Sequence, residues 1–198
     1  MKPQLARHLI AAWLLGVLML SGDGAVSHAD AAVDHFVDMS AWSATRIAAY
    51  RKRIQLDQKP EAILRIPSIA LVVPVFAGTG TAILDQAAGR IEGTSPFGAS
   101  GNIGIAAHRD GFFRALSGVK VGDVLQIDLP DATVTYNIVS MRVVDPSETS
   151  VLRPTTEPTI TLVTCYPFYF TGPAPQRFVV RATRAPKAEE IRLSRARG

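Results

Sequence analysis

Cysteine and histidine are the scarce residues of this chain. Cys165 is the only cysteine among 198 residues, so no disulfide can form within the chain. Of four histidines, three lie within the first 35 residues and only His108 lies later. Histidines and cysteines therefore form no cluster with metal-ligand spacing, and the sequence predicts neither a metal site nor any other cofactor.

A long basic stripe is also missing. The chain carries 21 Lys and Arg against 17 Asp and Glu, for a formal net charge of +4, but the cations are scattered and not interleaved with aromatic residues. We therefore predict no nucleic-acid partner. Gly78-Thr79-Gly80 lacks the third glycine of a dinucleotide-binding loop. The positive charge fits either a solvated surface or contact with an anionic membrane or wall polymer.

One long uninterrupted apolar run lies near the amino terminus. Its 12 residues, 9–20, follow Lys2 and Arg7 and precede a polar stretch of small residues, 21–32. This order is typical of an export signal. Because a membrane-spanning helix needs roughly 20 residues, residues 1–32 are predicted to be a signal peptide or a short membrane anchor.

The charges that flank this run predict the direction of export. Residues 21–45 contain four Asp and no Lys or Arg, whereas the cations precede the run and favour the cytoplasmic side. We expect membrane association, with the rest of the chain on the outer side of the inner (cytoplasmic) membrane, or in the periplasm if the leader is cleaved.

The remaining chain changes pattern at residue 61. Residues 33–60 are predicted to form a helical linker, with helical composition over residues 39–54 and Ser40 as the candidate N-cap. From residue 61 onward, short strand-like segments alternate with Pro and Gly turn signals, which predicts a mainly β fold, either a closed barrel or a sandwich. The strand-like segments are residues 63–67, 69–76, 103–108, 124–129, 133–144, 159–165 and 177–183, and two short helical pieces cover residues 82–88 and 112–116.

Cys165 has a distinctive position in this pattern. It ends the apolar run 161–165, and Pro167 keeps that run from continuing as a regular strand. Most free cysteines are small buried side chains, and that interpretation stays open. A lone thiol kept in an oxidising compartment, however, favours a working nucleophile.

A thiol nucleophile needs a base or imidazolium beside it and a cation that stabilises an oxyanion. His108 ends one strand-like segment and Arg177 begins another. We therefore predict that Cys165, His108 and Arg177 form one site. Asp110 and Asp85 fit a turn residue and a surface charge better than catalytic acids.

The strand that leads to His108 has one bare face. Residues on alternate positions share a face, and the face of His108 carries only Gly104 and Ala106. Two explanations are open: tight packing under another element, or a groove with room for an extended peptide.

Three segments together resemble the sortase family. They are residues 161–168 (TLVTCYPF), 174–180 (APQRFVV) and 104–113 (GIAAHRDGFF). The chain is most similar to class D-like sortases, including those of Gram-negative bacteria. The resemblance covers roughly residues 61–184, which would be the catalytic domain, and it leaves residues 185–198 as a basic flexible tail.

The resemblance implies a closed mixed β-barrel with a few short helices and a cysteine transpeptidase activity. Cys165 would attack the carbonyl of a sorting motif near the carboxyl end of a secreted protein and form a thioester. His108 would protonate the departing amine and assist the incoming one, while Arg177 would hold the substrate and stabilise the oxyanion. The acceptor would be an amine of a wall peptide or of a protein.

The same resemblance predicts a substrate groove along the site. Thr164 and Tyr166 flank the cysteine, Phe168 belongs to an aromatic loop that follows it, and Ala106 lies on the bare face beside His108. These four residues are the candidate substrate contacts.

Two other function classes compete with this interpretation. A peptidoglycan L,D-transpeptidase also uses Cys, His and Arg, but its Ser-His-Gly-Cys-like run is absent here. The other candidate is a non-enzymatic exported β-barrel that binds a peptide or wall polymer, with Cys165 buried.

Overall fold

The computed structural model describes residues 37–52, 56–169 and 172–186. Most of these residues belong to β-strands that are joined by short helices and turns. Eight strands lie within them: β1 (Ala62–Ile66), β2 (Leu71–Ala77), β3 (Ala88–Arg90), β4 (Asn102–Ala106), β5 (Val124–Asp128), β6 (Thr133–Val144), β7 (Thr159–Tyr166) and β8 (Gln176–Arg184).

The strands close into a barrel in the order β1-β2-β3-β4-β7-β8-β6-β5. The pairs β2–β3 and β4–β7 are parallel, whereas the other neighbours are antiparallel. The predicted closed mixed β-barrel with a few short helices is therefore confirmed.

Apolar side chains that alternate along the strands fill the barrel. In β1 every second residue is buried and the residues between are only partly buried, as expected for a strand with one face in the core. The first four residues of β4 and of β7 are all buried, because other parts of the chain cover the outer side of these strands as well. The largest fully buried side chains are Phe113, Leu64, Ile66, Ile105, Leu116, Leu125, Ile127, Ile138, Ile160, Leu162, Val73 and Val75.

Helix α1 (Ala44–Arg51) precedes the barrel, in the described part of the predicted linker. Ser43 is its N-cap, because the Ser43 Oγ accepts a 3.1 Å hydrogen bond from the Arg46 backbone N–H. The predicted cap, Ser40, lies before the helix, and its N–H donates to Asp38 instead.

Aromatic side chains pack α1 against the barrel. The rings of Trp42, Tyr50 and Phe112 meet edge to face, with centroids 4.7 to 5.9 Å apart. Tyr50 is buried at 4% exposure. The helix therefore belongs to the same packed body as the barrel.

The predicted strand 69–76 begins later than expected. Pro67–Ile69 forms a 3₁₀ helix, and Ala70 follows with φ 51°, in the left-handed region. This turn reverses the chain so that β2 can pair antiparallel with β1.

β3 is a strand that the sequence pattern missed. The predicted helical piece 82–88 ends early, as α2 (Thr81–Leu84), and the chain then pairs parallel with β2. β3 holds Ala88, Gly89 and Arg90, which lack the β-branched signal of a strand. A Cβ at Gly89 would lie 2.1 Å from the Gly78 carbonyl oxygen, so close backbone approach requires glycine there.

The predicted leader, residues 1–32, lies outside the described residues, as do residues 33–36 and 53–55 of the predicted linker and residues 187–198 of the predicted tail. Among the described residues, no helix has the length and apolar character that a membrane span requires.

Candidate active site

The parallel pairing of β4 with β7 brings His108 and Cys165 to the same edge of the barrel. Ala106 lies opposite Val163 in that pairing, and His108 and Cys165 each follow two residues later. Cys165 is half-buried and is not among the residues of the core. The thiol and the imidazole thus lie on neighbouring segments at one edge.

Thr164 connects these two segments. Its side chain is buried at 3% exposure, and its hydroxyl donates a 2.8 Å hydrogen bond to the Ala107 carbonyl. Thr164 precedes Cys165, and Ala107 precedes His108, so this bond holds the two site residues in register. The hydroxyl that was a candidate substrate contact is used within the barrel.

Arg177 reaches the same edge from β8. It lies directly opposite Cys165 in the antiparallel pair β7–β8. Its Nη1 donates to the carbonyl oxygens of Ala174 and Gln176, at 3.3 and 2.9 Å. Three adjacent strands therefore bring together the three residues that the sequence predicted as one site.

His108 is half-buried in a charged environment. Its Nε2 lies 3.7 Å from Asp85 Oδ1. Burial lowers the pKa of His108 below its usual 6.5, and the nearby Arg46 cation lowers it further, while the carboxylates of Asp110 and Asp85 act in the opposite direction. The neutral imidazole is therefore favoured more than in an exposed histidine.

Arg46 of α1 joins the two carboxylates beside His108. Its Nη1 lies 2.5 Å from Asp85 Oδ1, and its Nε lies 3.2 Å from Asp110 Oδ1. The sequence pattern does not predict this group, because Arg46 lies in the predicted linker and the two Asp fit a surface charge and a turn residue. Only the adjacency of Asp110 to His108 hinted at it.

An aromatic cluster follows Cys165. The rings of Tyr166, Phe168 and Phe178 lie with centroids 5.2 to 6.2 Å apart. Phe168 is buried at 8% exposure, whereas Tyr169 is 78% exposed. The loop after Cys165 thus carries one packed aromatic ring, that of Phe168, and one exposed ring, that of Tyr169. Phe170 lies outside the described residues.

Two arginines tie this loop to the segment that follows His108. The Nη1 of Arg114 donates to the Phe168 carbonyl at 2.7 Å, and its guanidinium lies 4.2 Å from the centre of the Tyr169 ring. The Nη2 of Arg109 donates to the Gly172 carbonyl at 2.7 Å. The histidine segment and the aromatic loop are therefore held together.

The bare face of β4 has two different explanations at its two positions. A Cβ at Gly104 would lie 2.9 Å from Leu152 and 3.1 Å from Ile91 and Thr94, so tight packing explains this glycine and the groove interpretation is wrong there. Ala106, nearer His108, is only partly buried. Any groove therefore begins at Ala106.

Metal binding has no candidate here. Across the parts of the chain that the structure describes, no three His, Cys, Asp or Glu side chains converge as a metal site would require. The absence of a cofactor stays a prediction.

The chain is similar to known proteins in sequence and in fold. The model of the Sortase domain matches residues 64–185. Sortase D of Bacillus subtilis (strain 168) is 31% identical over 148 residues, which cover 72% of this chain and 75% of that protein.

Solved structures agree with this match. Sortase A from Corynebacterium diphtheriae, lid mutant, superimposes with a TM-score of 0.61 at 29% identity, over 73% of this chain and 81% of that one. A Sortase D5 transpeptidase of Clostridium perfringens gives 0.59 at 25% identity, over 77% and 95% of the two chains.

Proposed function

Because the chain belongs to the sortase family, whose members are cysteine transpeptidases, we propose that it cleaves a sorting motif near the carboxyl end of a secreted protein and transfers the acyl part to an amine. The observation that supports this proposal is the register of β4, β7 and β8: Cys165 lies on β7, which pairs with β4, the strand that leads to His108, and with β8, the strand of Arg177. A nucleophile, a proton carrier and a cation thus share one edge.

The reaction proceeds in two halves. The Cys165 thiol gives its proton to His108 and the sulfur attacks the scissile carbonyl. The C–N bond then breaks and His108 passes the proton to the departing amine, which leaves a thioester on Cys165. The acceptor amine then attacks the thioester, His108 takes up its proton, and the C–S bond breaks to restore the thiolate. Water in place of the amine gives hydrolysis.

Arg177 stabilises the negative charge that develops on the carbonyl oxygen during both attacks. Its position opposite Cys165 and its hydrogen bonds to the loop backbone favour a guanidinium that is already in place before the substrate binds. Preorganised donors of this kind reduce the activation barrier because they need no reorganisation in the transition state.

The substrate lies in a groove between the histidine segment and the aromatic loop. Ala106, Tyr166 and Phe168 are its candidate contacts, and the aromatic cluster supplies apolar surface for the sorting motif. Thr164 supports the site from within the barrel. Its buried hydroxyl donates a hydrogen bond to the Ala107 carbonyl and thereby orients the side chains of Cys165 and His108.

We further propose a class D-like sortase that resembles those of Gram-negative bacteria, with a catalytic domain over residues 61–184. Residues 1–32 serve as a signal peptide or short anchor, so the domain faces the outer side of the inner (cytoplasmic) membrane or is free in the periplasm. Its partners are a secreted protein with a sorting signal and an amine acceptor, either a wall peptide or a protein.

The full-length chain incubated with a library of LPxTG-like sorting peptides and a strong amine nucleophile tests this proposal. Mass spectrometry reads the products, and Cys165→Ala is the matched control. We expect cleavage within one motif, a thioester adduct on Cys165 and amine-ligated product, all lost in the control. Alkylation of the folded chain supplies a second measurement, because Cys165 is the only thiol.

The outcomes separate the function classes. If Cys165 is reactive but no peptide is cleaved, only the assumed LPxTG-like motif is wrong, and a wider peptide library is then tested. A thiol that resists alkylation until the chain unfolds, with no adduct from any peptide, overturns the enzymatic proposal and favours a binding barrel.

A further inference from the structure

Arg46 lies in a charge cluster beside His108, although it belongs to the helix that precedes the barrel. Its Nη1 donates to Asp85 Oδ1 at 2.5 Å, and its Nε donates to Asp110 Oδ1 at 3.2 Å. Asp85 Oδ1 lies in turn 3.7 Å from His108 Nε2. The Arg46 side chain is only 15% exposed, so solvent screens these ion pairs incompletely.

Helix α1 packs closely against the turn that follows His108. A Cβ at Gly111 would lie 3.1 Å from Arg46 Cγ, so the aliphatic stem of Arg46 packs directly on the Gly111 backbone. Ser43 adds two hydrogen bonds: its Oγ donates to Asp110 Oδ2 at 2.9 Å, and its N–H donates to the Asp110 carbonyl at 3.2 Å. Side-chain and backbone bonds together therefore seat α1 against the turn.

We propose that Arg46 is a positioning residue for His108: with Asp85 and Asp110 it forms a charge cluster that holds the imidazole at the site and controls its charge. The proposal rests on the proposed role of His108 as the proton carrier of the transpeptidase. It makes α1 a working part of the site as well as a connection to the amino-terminal segment.

The charges that act on His108 come from several elements. Arg46 lies on α1, Asp85 follows α2, Asp110 lies in the same turn as His108, and Cys165 lies beside it on β7. Burial is the largest cause that lowers the pKa of His108, Arg46 lowers it further, and both Asp raise it. Arg46 and Asp85 therefore affect the imidazole in opposite directions although they form one ion pair.

This opposition separates a charge role from structural support. Arg46→Met keeps a stem that can pack on Gly111 but removes the cation, and Asp85→Asn removes the anion. Both changes break the same ion pair, so lost support alone would affect His108 alike in both variants. A charge role raises the His108 pKa in Arg46→Met and lowers it in Asp85→Asn.

NMR measures this directly on the full-length chain grown with 13C-labelled histidine. All variants carry Cys165→Ala, so that of the thiol and the imidazole only His108 titrates. The His108 resonance is assigned by its absence in His108→Gln. Arg65→Met and Asp128→Asn are matched controls, because Arg65 and Asp128 form an ion pair of the same 2.5 Å length between β1 and β5. We expect both controls to leave the His108 pKa unchanged.

Shifts of opposite sign support the proposal, whereas shifts of the same sign, or none, in variants with the parent's melting temperature overturn it. If Arg46→Met does not fold, Asp85→Asn still decides, since a raised or unchanged His108 pKa contradicts a charge role.

The NMR titration needs no substrate, so it is independent of the proposed function. With Cys165 intact, the pH limits of peptide transfer should move with the His108 pKa in each variant. A parent chain that transfers no peptide counts against the proposed function and leaves the NMR result standing.

Discussion

Cys165 and Arg177 are directly opposite residues of the antiparallel pair β7–β8. Arg177 donates hydrogen bonds to the carbonyls of Ala174, in the loop that joins their strands, and of Gln176, the first residue of β8. These bonds orient the guanidinium at the edge of the barrel where Cys165 lies. A lysine differs from arginine at this position, because its single ammonium lacks the planar, forked donors of a guanidinium.

We expect Arg177→Lys and Arg177→Ala to lower kcat by about 10²–10³, the usual cost of losing one oxyanion donor. The melting temperature should stay close to that of the parent, because Arg177 is not part of the core. Peptide transfer measured by chromatography gives kcat, and Arg65→Lys is the control. Full activity in Arg177→Lys would contradict the proposed role.

Thr164→Val tests the bond that keeps the histidine and cysteine segments in register. Valine fills the same space but cannot donate to the Ala107 carbonyl, which is then buried without its partner. We expect the free energy of unfolding to fall by about 1–3 kcal/mol, measured by urea unfolding. Thr164→Ser keeps the hydroxyl and is the control; equal stability of the Val and Ser variants would show that this bond contributes little.

Gly104→Ala tests the packing explanation of the bare strand face. The added methyl would meet Leu152, Ile91 and Thr94 at 3.1 Å or less, and no single shift relieves all three contacts. We expect a loss of about 1–3 kcal/mol in unfolding free energy. Gly80→Ala, where nothing lies within 4 Å of the new Cβ, should stay within about 0.5 kcal/mol of the parent.

Arg114 tests whether the aromatic loop must be held in place. Arg114→Met keeps the apolar stem but removes the donor to the Phe168 carbonyl and the cation over the Tyr169 ring. We expect the free energy of unfolding to fall by about 1–3 kcal/mol and KM for the sorting peptide to rise more than kcat falls. Arg114→Lys keeps the charge, and its free energy of unfolding and KM should lie between those of the parent and those of Arg114→Met. An unchanged KM would show that the loop does not contact the peptide.

His108 should make stability depend on pH. Burial and Arg46 lower the pKa of folded His108 below the usual 6.5. At a pH between the folded and the unfolded pKa, the unfolded chain therefore binds more protons than the folded one. Its contribution is fully present above about pH 6.5 and is lost as pH falls through the folded pKa. Urea unfolding at about pH 8 and about pH 5 should show a smaller loss in His108→Gln than in the parent. An equal loss in both would contradict the shift.

Much of the fold could be predicted from local patterns. β6, β7 and β8 were recognised because β-branched and apolar residues recur in them between turn signals, and these signals act over a few residues. The three candidate catalytic residues are also identified locally, since Cys165 is the only cysteine, His108 is the only histidine after residue 35 and Arg177 begins a recognisable strand.

The sequence by itself determined which chemical groups are available and, apart from β3, which segments form strands, because both depend on residue type and local periodicity. Only the tertiary structure decided which groups meet. Arg46 forms ion pairs with Asp85, 39 residues away along the chain, and with Asp110, 64 residues away. β3 pairs through a glycine and has no strand signal of its own. Contacts across such separations depend on barrel closure and on the docking of α1, which no local pattern records.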